Sequence, residues 1–237
     1  VLYLSHGLVS VDRDTHAYLS SSLSVGAMGP ATGGADLQSW FHQVIGYRKP
    51  QGWPYQTSNS LVLDYRLYHE RPLLHPNGHF HISGNIDVEA GTLVDNMGLG
   101  FTVAAGQLGD FFTRDHALAD PAATAVRGWR LQAFLHPEFR LLFYDATLEG
   151  GFFTSNKYVL DGHDLEPLYF QGDLGMVVSH GRFRIGFTQK IRTAEFKGGK
   201  THTVGNITFS IPLSGRITHT RFSPDPGTPA PGTHLLH

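Results

Sequence analysis

The densest set of residues able to do chemistry lies between Leu37 and Gln56, in LQSWFHQVIGYRKPQGWPYQ. Leu37, Trp40, Phe41, Val44 and Ile45 recur at helical spacing and leave Gln38 and His42 together on another face. Histidine is the commonest general base toward water or a hydroxyl. A glutamine one turn earlier could hold or orient it. A lone histidine on an exposed loop helix is more often a polar surface residue, so the pair needs a scaffold before it has a role.

Other candidates carry less. His79 and His81 sit two apart on one strand face with His75 nearby, a spacing that suits a metal. The alternation of Phe80 and Ile82 between them fits polar residues lining a lumen equally well. Asn156 and Asp161 in NKYVLDG could touch a substrate, but Asp-Gly is also ordinary turn chemistry. Nucleophile-elbow, zincin, P-loop and dinucleotide fingerprints are absent. With no cysteine, disulfides, thiol catalysis and Cys-containing zinc sites are excluded too.

The elements that must position these residues are strands. In HFHISGNIDVEAGT the even positions Phe80, Ile82, Ile86, Val88 and Ala90 are apolar or small, and the odd positions are polar. The same dyad predicts strands over about 1–12, 15–27, 58–70, 79–92, 97–108, 129–146, 167–180, 182–192 and 203–213. Such lengths exceed the usual five or six residues and match membrane-spanning β-strands, which need about 9–11. The sixth changes phase at Pro137, which predicts a bulge there rather than a hairpin. Asp64, Arg66, Asp87, Glu89, Arg130, Arg140, Arg182, Arg184 and Lys190 fall on the polar side as an interior network. Trp53, Tyr55, Tyr65, Tyr68, Trp129 and Tyr169 fall near strand ends and suit interface girdles.

Outer-membrane barrels keep long loops on one side. Nine strands put connections 28–57, 151–166 and 193–202 on a shared face, with 109–128 as the exception. An odd strand count forces the first and last strands of a closed barrel to pair in parallel. Because Val1 falls inside a strand, the expectation is an all-β antiparallel transmembrane barrel over 1–213, with nine of twelve strands present. The Pro/Gly-rich segment 214–237 reads as a disordered tail. A net charge of -2 offers nothing to neutralise phosphate backbones, so no nucleic-acid partner is expected.

Several stretches in order resemble the outer-membrane lipid A 3′-O-deacylase family: SVGAMGPATGGADLQSWFHQVIGYRKPQGWPYQ, GNIDVEAGTLVDNMGLGFTVAAG, NKYVLDG and GRFRIGFTQKIRTAEFKGG. The resemblance covers nearly all of 1–213 and implies a twelve-stranded barrel in the bacterial outer membrane that this chain enters at the fourth strand. It implies a calcium-dependent esterase acting on lipid A within lipopolysaccharide, monomeric among outer-membrane lipids. Residue by residue it carries a catalytic role to His42, with Gln38 in support, and a Trp-x-x-Gln turn to Trp53 and Gln56. Where the family keeps an acid six positions after the histidine, this chain has Arg48. Arg48 cannot ligate calcium, but with Lys49 it suits a lipid A phosphate. The family's Asn-Asp pair and hydroxyl residue on its first strands have no counterpart here.

The expected function is therefore a lipid A 3′-O-deacylase-like ester hydrolase whose calcium ligands are mostly missing from this chain, leaving it inactive alone. The alternative is a non-enzymatic outer-membrane barrel, porin-like or lipid A-binding. A soluble ligand-binding barrel is a third reading, and it requires the apolar dyad to face inward.

Overall fold

The structure, a computed structural model, describes residues 1–12, 14–48, 50–74, 78–108, 126–152, 154, 158–181 and 183–210. Expectations for Lys49, His75, Asn156, Arg182, the tail 214–237 and most of connection 109–128 lie outside the described residues.

Among the described residues nine strands form, close to the bounds that the dyad predicts. They are β1 (Leu2–Val11), β2 (Tyr18–Met28), β3 (Ser60–Pro72), β4 (Phe80–Gly91), β5 (Val94–Gly106), β6 (Val126–Asp145), β7 (Leu168–Gly181), β8 (Phe183–Arg192) and β9 (His202–Ser210). Each pairs antiparallel with its neighbour in sequence, giving one curled sheet in the order β1 to β9. Among the described residues β1 and β9 are its free edges. One helix, α1 (Gly34–Val44), occupies the β2–β3 connection. Among the described residues no helix is long and apolar enough to cross a membrane.

The burial pattern is the reverse of a soluble barrel. Along β4, His81, Ser83, Asn85 and Asp87 are buried on the concave face, while Phe80, Ile86 and Val88 are exposed on the convex one. The same holds in β3, where Asp64, Tyr68 and Glu70 are buried and Leu61, Leu63 and Tyr65 are exposed. A convex face this apolar needs lipid rather than water against it. The soluble reading, which requires the apolar dyad inside, is thereby excluded.

Two expectations are corrected. Strand β6 is continuous, but it does not bulge at Pro137. Gly100 lies opposite Glu138 and Val103 opposite Leu135, so the register is unchanged across the proline. The register shifts fall elsewhere, at Asp95/Asn96 and at Val126/Trp129. The apparent phase change comes from Phe134, an apolar residue that points inward and is buried. Its ring lies over Gly175, where a Cβ would stand 2.1 Å from it, and it joins Ala104, Leu108 and Val177 in a small apolar cluster. The second correction concerns the girdle. Tyr68 and Tyr169 are buried inward, Tyr68 donating to Glu70 Oε2 at 2.7 Å and Tyr169 lying 5.4 Å from the Arg192 guanidinium. Tyr65 and Trp129 do face outward.

The concave face is held by charge. Asp87 of β4 accepts two bonds from Arg66 of β3, at 2.9 and 2.6 Å, and a third from Arg140 of β6 at 2.8 Å. Arg140 also lies 3.8 Å from Glu138, which accepts from Asn85 at 3.3 Å. Farther round, Lys190 faces Asp173 at 3.8 Å. The long connections gather at one end as expected. Tyr55 meets Tyr158 edge-on at 5.1 Å, and Leu165 bridges to Phe196.

Replacing Asp87 by alanine leaves the buried Arg140 short of its main counter-charge. The expected loss is about 3–5 kcal/mol, read as a lower urea midpoint for unfolding from detergent micelles. Replacing the exposed Ser5 should leave that midpoint unchanged.

Candidate active site

The site is built where β2 leaves the sheet. At its end Gly29 takes φ 103, and a Cβ there would stand 2.7 Å from Asn59. Asn59 accepts the Ala31 N–H at 2.8 Å, and the Thr32 hydroxyl donates to the Gly29 carbonyl at 2.8 Å. These bonds fix a 3₁₀ turn at Pro30–Thr32, from which the chain passes through Gly33 into α1. Trp53, in a second 3₁₀ turn at Trp53–Tyr55, lays its ring over Gly34, where a Cβ would stand 3.1 Å away. The start of the helix is thus pinned by aromatic packing as well as by backbone bonds.

Its end is shaped by Gly46. At φ 68 this residue adopts the left-handed conformation that glycine tolerates best. The Gly46 N–H donates to the Gln43 carbonyl at 3.3 Å and the Tyr47 N–H to the His42 carbonyl at 2.7 Å. This pair of bonds is a Schellman motif, which turns the chain back along the last helical turn. Residues 47 and 48 are therefore returned to His42. The Tyr47 ring meets the imidazole edge-on at 5.4 Å, and the Arg48 carbonyl lies 2.7 Å from His42 Nδ1.

That last contact decides the chemistry available. A carbonyl oxygen can only accept, so Nδ1 must carry the hydrogen. In the neutral ring Nε2 then holds the lone pair, the state that a general base requires. His42 is partly exposed, so water can reach it.

The remaining predicted residues are less tightly gathered. Gln38 is exposed one turn earlier and makes no hydrogen bond to His42. The Arg48 side chain is exposed, while its backbone does the orienting. Trp53 lines a cleft of about 430 Å³ with Ala35, Asp36 and Ser39, to which His42 does not contribute. Gln56 is partly buried and ends the Trp53–Tyr55 turn, its N–H donating to the Trp53 carbonyl at 3.3 Å. Tyr47 and Gly46 were not singled out from sequence. A glycine just past the last apolar helical residue is the signal that marks such a turn.

The histidines of β4 do not assemble into a metal site among the described residues. His81 is buried on the concave face 3.9 Å from Glu70, whereas His79 is exposed at the strand end beside the Gly106 carbonyl. Asp161, His163 and Asp164 are the described group whose ligand atoms lie within 4.8 Å of one another. They belong to another loop.

The family described as Outer membrane protein LpxR matches residues 1–213. Among solved structures, LpxR from Salmonella typhimurium is similar with a TM-score of 0.75 and 20% identity, covering 89% of this chain and 73% of that one. No curated protein matches the chain in sequence.

The pinned imidazole can be read by ¹⁵N NMR in micelles. The unaltered protein should show His42 predominantly as the Nδ1–H tautomer, and Gly46→Val should return it to a mixture. A dominant Nε2–H form in the unaltered protein would overturn the assignment.

Proposed function

The chain belongs to the outer membrane protein LpxR family, and we propose from that membership that it is an outer-membrane ester hydrolase of the lipid A 3′-O-deacylase type. Its substrate is then lipid A within lipopolysaccharide, cleaved at the 3′ acyloxyacyl ester. The observation that carries this reading is the 2.7 Å contact between His42 Nδ1 and the Arg48 carbonyl, which leaves Nε2 able to accept a proton.

His42 acts as general base. As the water oxygen attacks the ester carbonyl carbon, Nε2 takes the proton released from water. The carbonyl–oxygen bond to the sugar then breaks, and the departing alkoxide recovers that proton from the imidazolium. The products are the 3′ acyloxyacyl acid and the free sugar hydroxyl. Gln38, with its amide on the neighbouring turn, assists by holding the attacking water. Arg48 and Lys49 take an anionic phosphate of the headgroup, for which a guanidinium fork is well matched. Trp53 and Gln56 border the path of the headgroup.

Calcium, which the family resemblance implies, finds little to hold it beside His42. The imidazole's neighbours are a backbone carbonyl, the Tyr47 ring and Arg48, a cation where an acid is expected. These residues do not fit the ion. A non-enzymatic, porin-like or lipid A-binding scaffold is the second reading, and Arg48 is the residue that favours it.

Mass spectrometry of lipid A from cells making the protein separates the two. Loss of the 3′ acyloxyacyl group that disappears with His42→Ala supports the hydrolase, whereas an unchanged spectrum supports the scaffold.

A further inference from the structure

The helix that carries His42 has an apolar stripe that nothing in the described protein covers. Leu37, Trp40, Phe41, Val44 and Ile45 are 65%, 60%, 51%, 64% and 55% exposed, and no residue of the eleven-residue helix is buried. A helix this short is marginal in water and depends on something packing against its apolar face. Its other side carries Asp36, Ser39 and Gln43, which with Trp40 at the edge of the stripe and Tyr47 line an open cleft of about 480 Å³. An amphipathic helix with aromatic and aliphatic residues along one face is the kind that lies in a membrane interface.

The sheet beneath the helix indicates what covers the stripe. Leu2, Val25 and Leu61 are 66%, 50% and 64% exposed on the convex face. Ala27, one residue before the end of β2, lies opposite both Leu2 and Leu61, so this apolar surface reaches the end from which α1 departs. The convex face is the one that lipid must contact, and its apolar surface runs up to the connection that carries the stripe.

We propose that the apolar stripe of α1 is immersed among the acyl chains of the adjoining leaflet and sets the depth at which His42 works. The inference rests on the outer-membrane reading of the family and adds a lipid contact and a positioning role to the helix. At about 100° per residue, His42 stands about 60° around the helix from Ile45, at the border between the apolar stripe and the polar side. A helix lying in the membrane plane holds that border at the level where headgroups meet acyl chains. Ester linkages of a lipid lie at that level. Helix α1 thus brings the base to the ester without drawing the lipid out of the membrane.

The chain has no cysteine, so a single introduced thiol can carry a unique nitroxide label. Leu37→Cys and Val44→Cys test the stripe, Ser39→Cys and Gln43→Cys the polar side, and Leu61→Cys the wall of the sheet. The protein is reconstituted in phosphatidylethanolamine–phosphatidylglycerol vesicles, and label collision with oxygen is compared with collision with a water-soluble nickel chelate. Labels at 37 and 44 should favour oxygen several-fold, as at 61, and labels at 39 and 43 should favour nickel. Nickel access at 37 and 44 equal to that at 43, with 61 still protected, overturns the proposal and leaves the outer-membrane reading intact. Dipolar broadening between labels at 44 would show a second copy on the stripe and overturn it as well. Nickel access at 61 would defeat the outer-membrane reading itself.

Discussion

The shape of this protein depends on one buried carboxylate. Asp87 sits on the concave face of the sheet with a guanidinium on either side, one from β3 and one from β6. A charge taken out of water is costly unless it is paired and hydrogen-bonded. Asp87 meets that requirement only if the sheet curls enough for Arg140 to reach it from two strands away. Strand number and the stagger of the register set the curvature of such a sheet, and the ionic contacts across the concave face hold it there. Curling in turn presents the apolar dyad as a continuous convex surface, and that surface makes lipid the natural environment of the protein.

The candidate site uses this wall as a rigid mount. Bonds among Gly29, Asn59 and Thr32 tie the start of the excursion to the ends of β2 and β3, and Trp53 braces the helix on Gly34. The geometry of His42 is decided by two glycine-dependent turns and one carbonyl. Orientation of an imidazole by a backbone oxygen makes the tautomer independent of the identity of the side chain at Arg48. An arginine there therefore alters what the site can bind without releasing the ring.

Most of the sheet was legible in the chain because the β period is two and membrane strands are long. The runs at Phe80–Ala90 and Leu61–Leu67 needed no tertiary information to be read as strands with one apolar side. Pro137 marks no bulge, although the sequence pattern suggests one. A bulge was the local explanation for an apolar residue on the polar side of β6, whereas the actual reason is a small apolar cluster around Gly175. Tyr68 and Tyr169 were misplaced for a similar reason. An aromatic residue with a hydroxyl suits an interface or a buried hydrogen bond equally well, and the choice depends on what stands opposite. Glu70 and Arg192 decide it, and neither is predictable from strand position alone.

By itself the sequence determined the strand count and register period, the helix between β2 and β3, and the pairing of Gln38 with His42 on one face. Local periodicity and turn chemistry suffice for those. Only the tertiary structure decided which face of the sheet is concave and which charges meet across it, because those contacts join strands distant along the chain. It also decided that Arg48 orients His42 through its carbonyl rather than its side chain, since that contact exists only after Gly46 has turned the backbone. Side-chain identity is written in the sequence. The direction of a backbone oxygen is not.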